Sequence, residues 1–227
     1  MRTHTFRKAA ALGILTLLAF GAGNARALLI LNSNNVIGGD GAFYDVSYKT
    51  GVYNAYHVVD NQTGPINEVV GNYWLGQQRG LSQYFVLDLG ATYSILEIDL
   101  FNTHNTGYND RGTVNFHVDA ANSVAFVNST VDYDLVSPVQ ILSGTLTQRD
   151  SANDPIVADV YTSANGLSQG TEYRYLRFTA DNFNPNYAGD GGSGLNEIRV
   201  LVPEPSTLVL LAFGALWLSH SRQRRRQ

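Results

Sequence analysis

Tyr84-Phe85-Val86-Leu87-Asp88-Leu89 puts Phe85, Leu87 and Leu89 on one side of an extended chain. The same alternation continues downstream. Leu96, Ile98 and Leu100 point one way while Glu97 and Asp99 point the other, and Val114, Phe116 and Val118 alternate with Asn115, His117 and Asp119. Leu176, Phe178 and Ala180 repeat the pattern in part, and Ile198, Val200 and Val202 close it. A period of two marks strands with one buried face. Segments 138–147 and 155–161 add two more, and nothing between 28 and 202 holds a long 3.6-residue period. The gaps at 32–40, 61–71, 102–112 and 182–194 are rich in Asn, Gly and Asp, which tolerate positive φ and cap their own turns. Long loops on a two-sheet scaffold commonly carry binding. The pattern predicts one all-β domain over 28–202, a jelly-roll β-sandwich of about eight strands.

Charge is segregated along the 227 residues. Arg2, Arg7, Lys8 and Arg26 precede the domain, and Arg222, Arg224, Arg225 and Arg226 follow it. That leaves 7 basic against 18 acidic residues over 28–202, a net charge of −11. So acidic a body repels a phosphate backbone, which excludes nucleic acid as a partner. The absence of cysteine excludes disulfide scaffolds, thiolate metal sites and cysteine nucleophiles.

The two ends read as addresses. A basic start, a small-and-apolar run over 9–22 and Ala25-Arg26-Ala27 make the pattern of a cleaved secretory signal helix at 1–27. The alternative is an uncut N-terminal anchor. At the other end, Pro203-Glu204-Pro205 stiffens a break. A short apolar run over 208–218 follows, and an arginine cluster suited to the cytoplasmic side ends the chain. Eleven apolar residues make about 16 Å of helix. Extending the run to 205–220 nearly spans a hydrocarbon core of about 30 Å, so a transmembrane-type helix is expected there.

Those three parts in order, over 203–227, resemble the PEP-CTERM sorting signal. The resemblance implies a Gram-negative bacterium that makes exopolysaccharide. It also implies a transient membrane anchor and processing at Pro203-Glu204-Pro205 by an exosortase. The alternative is a plain anchor that is never cut.

The body carries a second resemblance. Tyr84–Gly90 followed by Tyr93-Ser94-Ile95-Leu96-Glu97-Ile98 is similar to the middle of a discoidin, or coagulation factor 5/8 type C, domain. Ala55-Tyr56-His57-Val58-Val59-Asp60-Asn61, the aromatic Trp74, Tyr173–Phe178 and the closing Gly194–Val200 follow that galactose-binding-like family in the right order. Asn61 replaces the family's glycine, and 120–147 lacks its Ser-x-Asp-Gly turn.

Two sites are expected. Asp60-Asn61-Gln62-Thr63 packs four oxygen-bearing side chains into one turn, and calcium takes six to eight oxygen ligands. In the resembled family a calcium is often held between this loop and the Glu of the last strand. That implies Asp60, Thr63 and Glu197 as ligands, with carbonyls near Tyr56 or Gln62. Two acids brought together repel without a cation. The alternative is that Asp60 caps its turn while Glu197 pairs with Arg199 or Arg177.

The second site is the loop 102–112. Sugars are recognised by aromatic stacking and by paired hydrogen bonds from Arg, Asn and Asp, because each hydroxyl both donates and accepts. His104, Asn105, Tyr108 and Arg111, with Trp74 or Tyr187, form a candidate glycan site. The alternative is that Asp110 and Arg111 brace the loop.

No catalytic constellation is visible. The histidines lack zinc spacing, no Gly-x-Ser-x-Gly elbow occurs, and Glu97 and Asp99 share one strand face. The expected role is therefore an exported, non-enzymatic module at the cell surface or in the extracellular matrix. It would engage polysaccharide or glycan with structural calcium. The alternative is a structural matrix component with no specific small ligand.

Overall fold

The structure, a computed structural model, describes residues 26–39, 53–63, 73–76, 80–103, 111–148, 156–183 and 191–204. The chain divides into two compact units: Leu28–Val202, and the two ends Met1–Ala27 with Pro203–Gln227. The expected signal helix and transmembrane-type helix lie outside the described residues. Among the described residues no helix is long and apolar enough to cross a membrane.

The body is an all-β sandwich. In chain order the strands are β1 (Arg26–Leu28), β2 (Val36–Gly39), β3 (Trp74–Leu75), β4 (Gln83–Ser94), β5 (Glu97–Phe101), β6 (Asn115–Ala121) and β7 (Val124–Asn128). They continue with β8 (Asp132–Leu135), β9 (Val139–Thr145), β10 (Ala158–Thr162), β11 (Glu172–Ala180), β12 (Gly194–Leu195) and β13 (Glu197–Pro203). One sheet runs β1-β13-β5-β10 and the other β7-β8-β2-β4-β11-β6-β9, with β12-β3 as a separate ribbon. The strands read from alternation are all present. The added ones are short pieces such as β2, β3 and β12, which hold too few residues to display a period.

The alternating residues meet where the pattern sends them. Phe85, Leu87, Leu176, Phe178, Phe116 and Val118 from the larger sheet join Ile98, Leu100 and Val200 from the smaller in one buried cluster. Phe178 stacks on Phe85 at 5.3 Å and on Phe116 at 5.7 Å. Offset aromatic stacks add about 0.5–1.5 kcal/mol each beyond their area burial.

The β7–β8 hairpin takes an unforeseen position. Only Asn122 and Ser123 link β6 to β7, yet four strands separate the two in the sheet order. Strands lie about 4.8 Å apart, and two residues reach only about 7 Å beyond the strand ends. The hairpin therefore folds back over the outer face of the larger sheet. There Val86, Ala121 and Leu135 form a second buried cluster under Tyr84, Tyr175 and Val124. Arg177 pins it, donating to Asp134 of β8 at 3.1 Å and to Asp119 of β6 at 2.7 Å. Gly38 admits the hairpin's backbone: a Cβ there would sit 1.9 Å from the Tyr133 carbonyl oxygen.

Candidate functional site

The loop that follows Val59 is carried to the last strand by a 3-10 turn, Ala55–Val59, whose Ala55, Val58 and Val59 are buried in the core. The Asn54 side chain caps the turn by accepting from Tyr56 N at 3.0 Å. Asp60 ends it, accepting from Gln62 N at 2.9 Å and lying 3.1 Å from His57 Nδ1. Asn61 then takes φ 62°, in the left-handed region that Asn tolerates and most other side chains do not. That turn aims Asn61 N at the carboxylate of Glu197, 3.1 Å away. Arg199, two residues along β13, donates to Asn61 Oδ1 at 2.9 Å and lies 4.8 Å from the Phe101 ring centroid.

Glu197 is 3% exposed. Burial first, and then the Asp60 charge, push its carboxyl up to about 8; Arg199 and the Asn61 N–H act in the opposite direction. A small open pocket lies beside it, lined by Leu28 to Leu31, Val59, Asn61 and Glu197 to Arg199. Two features of the bland alternative are also present: Asp60 caps its own turn, and Arg199 lowers the cost of the Glu197 charge. Arg177 is not a partner of this carboxylate, because it is committed to Asp119 and Asp134 on the other sheet.

The oxygen donors brought together here are the carboxylates of Asp60 and Glu197, and Thr63 lies three residues further along the same loop. That chemistry suits a hard cation such as calcium, and the charge of a cation there would favour the ionised form of Glu197 against both its burial and the Asp60 charge. Among the described residues no group of three or more His, Cys, Asp or Glu gathers as a metal cluster. Any cation would therefore draw on carbonyls and hydroxyls as much as on acids.

The expected glycan loop is described only at its roots, where Asn102 organises them. Asn102 is fully buried and makes four hydrogen bonds: Nδ2 donates to the carbonyls of Thr113 at 2.9 Å and Thr147 at 3.0 Å, and Oδ1 accepts from the N–H groups of Thr103 and Thr113, each at 3.0 Å. Thr113 Oγ1 donates to the Gly194 carbonyl at 2.8 Å, Gly112 N to Gly192 O at 3.2 Å, and Gly76 N to Ser193 O at 2.9 Å. Arg111 bridges Gly192 and Thr113 bridges Phe183. Segments 104–110 and 184–190 thus start and finish at residues of one network, and 77–79 and 149–155 start from it.

His104, Asn105, Tyr108, Asp110 and Tyr187 lie outside the described residues, as does Pro205 of the sorting motif; Pro203 ends β13 and Glu204 follows it. Trp74 needs correction. It is 0% exposed and packs edge-on against Phe85 at 5.2 Å and Phe178 at 6.1 Å. Its ring is core and offers no stacking face to a sugar. Arg111 is 5% exposed, which places it with the loop's support rather than on an open surface. Sequence reasoning missed Asn102 and His57. The signal for Asn102 was an Asn ending a strand at the root of a long polar loop. The signal for His57 was its spacing of three residues before Asp60.

No protein-family model matches the chain, and no curated protein does. Solved structures share the fold. An allantoicase from Saccharomyces cerevisiae superposes with a TM-score of 0.52 at 12% identity, over 87% of this chain and 54% of that one. At that identity the likeness shows a common fold alone. A family 32 carbohydrate-binding module of Clostridium perfringens NanJ, solved with galactose, gives a TM-score of 0.48 at 13% identity, over 78% of this chain and 99% of that one. Another C. perfringens family 32 module, solved with GalNAc-β-1,3-galactose, gives 0.49 at 13% identity, over 77% and 99%.

Proposed function

We propose that this chain is an exported, surface-sorted, non-enzymatic module that engages extracellular polysaccharide or glycan, with calcium bound at Asp60, Thr63 and Glu197 as structural support. The observation that carries the reading is the buried Asn102 network. It gathers the roots of polar loops at one end of a rigid sandwich, and those loops hold His104, Asn105, Tyr108 and Tyr187. Rings of tyrosine stack on sugar faces while Asn and His exchange hydrogen bonds with sugar hydroxyls. A cation between Asp60 and Glu197 would tie a second loop to the last strand in a chain that has no cysteine to do so.

In this reading the leader 1–27 exports the domain. The tail from Pro203 holds it transiently at the membrane of a Gram-negative bacterium, until an exosortase acts at Pro203-Glu204-Pro205. The resemblances to the PEP-CTERM signal and to the discoidin family support both parts. A glycan array probed with the full-length chain and with Tyr108→Ala tests the binding half. Signal on defined glycans that the variant loses upholds it. The burial of Trp74 and Arg111 favours a second reading, a matrix component with no specific small ligand, and uniform silence on the array would select it.

A further inference from the structure

The strand edges of this sandwich are guarded in three places and open in a fourth. Along β9 the Ile141 carbonyl accepts from Ser168 N at 2.8 Å and the Thr145 carbonyl from the Tyr161 hydroxyl at 3.0 Å. The β10 edge carries Asp159 and lends its Val160 carbonyl to Asn165 Nδ2 at 2.6 Å, while β1 is three residues long and begins with Arg26. Capping bonds, charge and shortness all keep an edge from recruiting another strand. The remaining edge, β7, has neither cap nor charge. It reads Val124-Ala125-Phe126-Val127-Asn128, and no charged residue lies between Asp119 and Asp132. Ala125 is exposed, and Phe126 and Val127 are 60% and 51% exposed.

The hairpin's bonding fixes which backbone groups face outward. Val136 N donates to Ser123 O at 3.0 Å, so those two residues are a hydrogen-bonded pair. Such pairs alternate along an antiparallel ladder, which makes Ala125 and Asp134 the next one. Val124 and Phe126, opposite Leu135 and Tyr133, therefore direct their N–H and C=O groups away from β8. The edge-on contact of the Phe126 and Tyr133 rings at 5.8 Å fits the closer side-chain approach of a non-hydrogen-bonded pair. Among the described residues no hydrogen bond reaches these outward groups. The register slips after Phe126, so the open edge is confined to 124–126.

We propose that a second copy of this chain pairs with this edge, β7 against β7, antiparallel about a two-fold axis at Ala125. In that register Val124 and the second copy's Phe126 form a hydrogen-bonded pair, the symmetry-related pair forms another, and every outward group is used. Phe126 lies across from the second copy's Val124 on one face, and the smallest side chain of the strand meets its mate on the axis. Charge selects a copy as the occupant. The domain carries −11 over 28–202, so two copies repel wherever acidic edges meet, but β7 places no like charges opposite itself. A two-fold contact needs one self-complementary patch, which this strand supplies. So short an interface makes a weak, concentration-dependent dimer. It is independent of glycan or calcium binding.

The chain has no cysteine, so Ala125→Cys supplies a lone thiol on the axis, where facing Cα atoms lie within the roughly 4.4–6.8 Å that a disulfide spans. Mild oxidation of the full-length variant in detergent should give about tenfold more covalent dimer than Ser163→Cys, an exposed thiol after the guarded β10 edge. Light scattering of the unaltered chain should show a mass that climbs toward a dimer with concentration, and further with salt, which screens the repulsion of the acidic bodies. Ala125→Lys should remain monomeric, and mixing it with Ala125→Glu should restore the dimer. Equal cross-linking at 125 and 163 overturns the proposal, as does association that Ala125→Lys leaves unchanged. If Ala125→Lys fails to fold, the cross-linking comparison decides.

Discussion

The backbone N–H of Asn61 donates to Oε2 of Glu197 at 3.1 Å, joining residues 136 positions apart in the chain. The contact depends on the left-handed turn at Asn61 and on a carboxyl buried on the last strand, near the charge of Asp60. Its pH response follows. The folded Glu197 carboxyl is raised from 4.5 to about 8, so between those values the folded chain keeps a proton that the unfolded chain releases. Stability from this group is full below pH 4.5 and is lost as pH rises toward 8. With chelator present, the melting temperature should fall over that window. Glu197→Gln should flatten the decline, and equal declines in both proteins would contradict it.

Calcium should act in the opposite direction, because it needs the deprotonated carboxylate. At pH 8, adding millimolar calcium is expected to raise the melting temperature by mass action, and Asp60→Asn should abolish the increment. A melt indifferent to calcium in the unaltered chain would remove the cation from the account.

Arg177 joins the hairpin to the sheet beneath it. Replacing it with alanine leaves Asp119, 6% exposed, without its guanidinium and leaves Asp134 only the Tyr84 hydroxyl and the Leu135 N–H. The expected loss is about 2–3 kcal/mol in urea unfolding. Amide exchange should quicken across β7 and β8 before it does across β4. Uniform acceleration would mean that the hairpin is not a separate latch.

Asn102→Ala removes four hydrogen bonds and strands backbone groups of Thr103, Thr113 and Thr147. A cost of about 3–5 kcal/mol is expected, since each unsatisfied buried group costs about 1–3 kcal/mol. Asn102→Asp keeps the acceptor half but turns a second acceptor oxygen toward the Thr113 and Thr147 carbonyls in a buried site, and should lose at least as much. A clearly smaller loss from Asn102→Asp than from Asn102→Ala would show that the acceptor bonds alone carry the node.

The alternation from Phe85 to Leu89 and from Leu96 to Leu100 was enough to foresee β4, β5 and the sandwich, because a half-buried strand writes its period into the sequence. The pairing of the Asp60 loop with Glu197 was foreseen through the discoidin resemblance; alternation alone assigns Glu197 to the solvent side. The hairpin over β4 and β11 was illegible. Its strands are four and five residues long, β7 is exposed from Ala125 to Asn128, and its placement follows from a linker too short to cross the sheet. Trp74 misled because composition cannot say whether an indole faces solvent or core. Its neighbours in space, Phe85 and Phe178, lie on other strands and meet it only once the sheets have formed.

Affinity electrophoresis of the full-length chain through gels containing bacterial exopolysaccharide tests the account most directly. The prediction is retardation in the presence of calcium that His104→Ala and Tyr108→Ala each relieve, while their melting temperatures stay within about 1–2 °C of the unaltered chain, which separates lost binding from lost folding. Unretarded migration in every polysaccharide, or retardation that both variants retain in full, would contradict it.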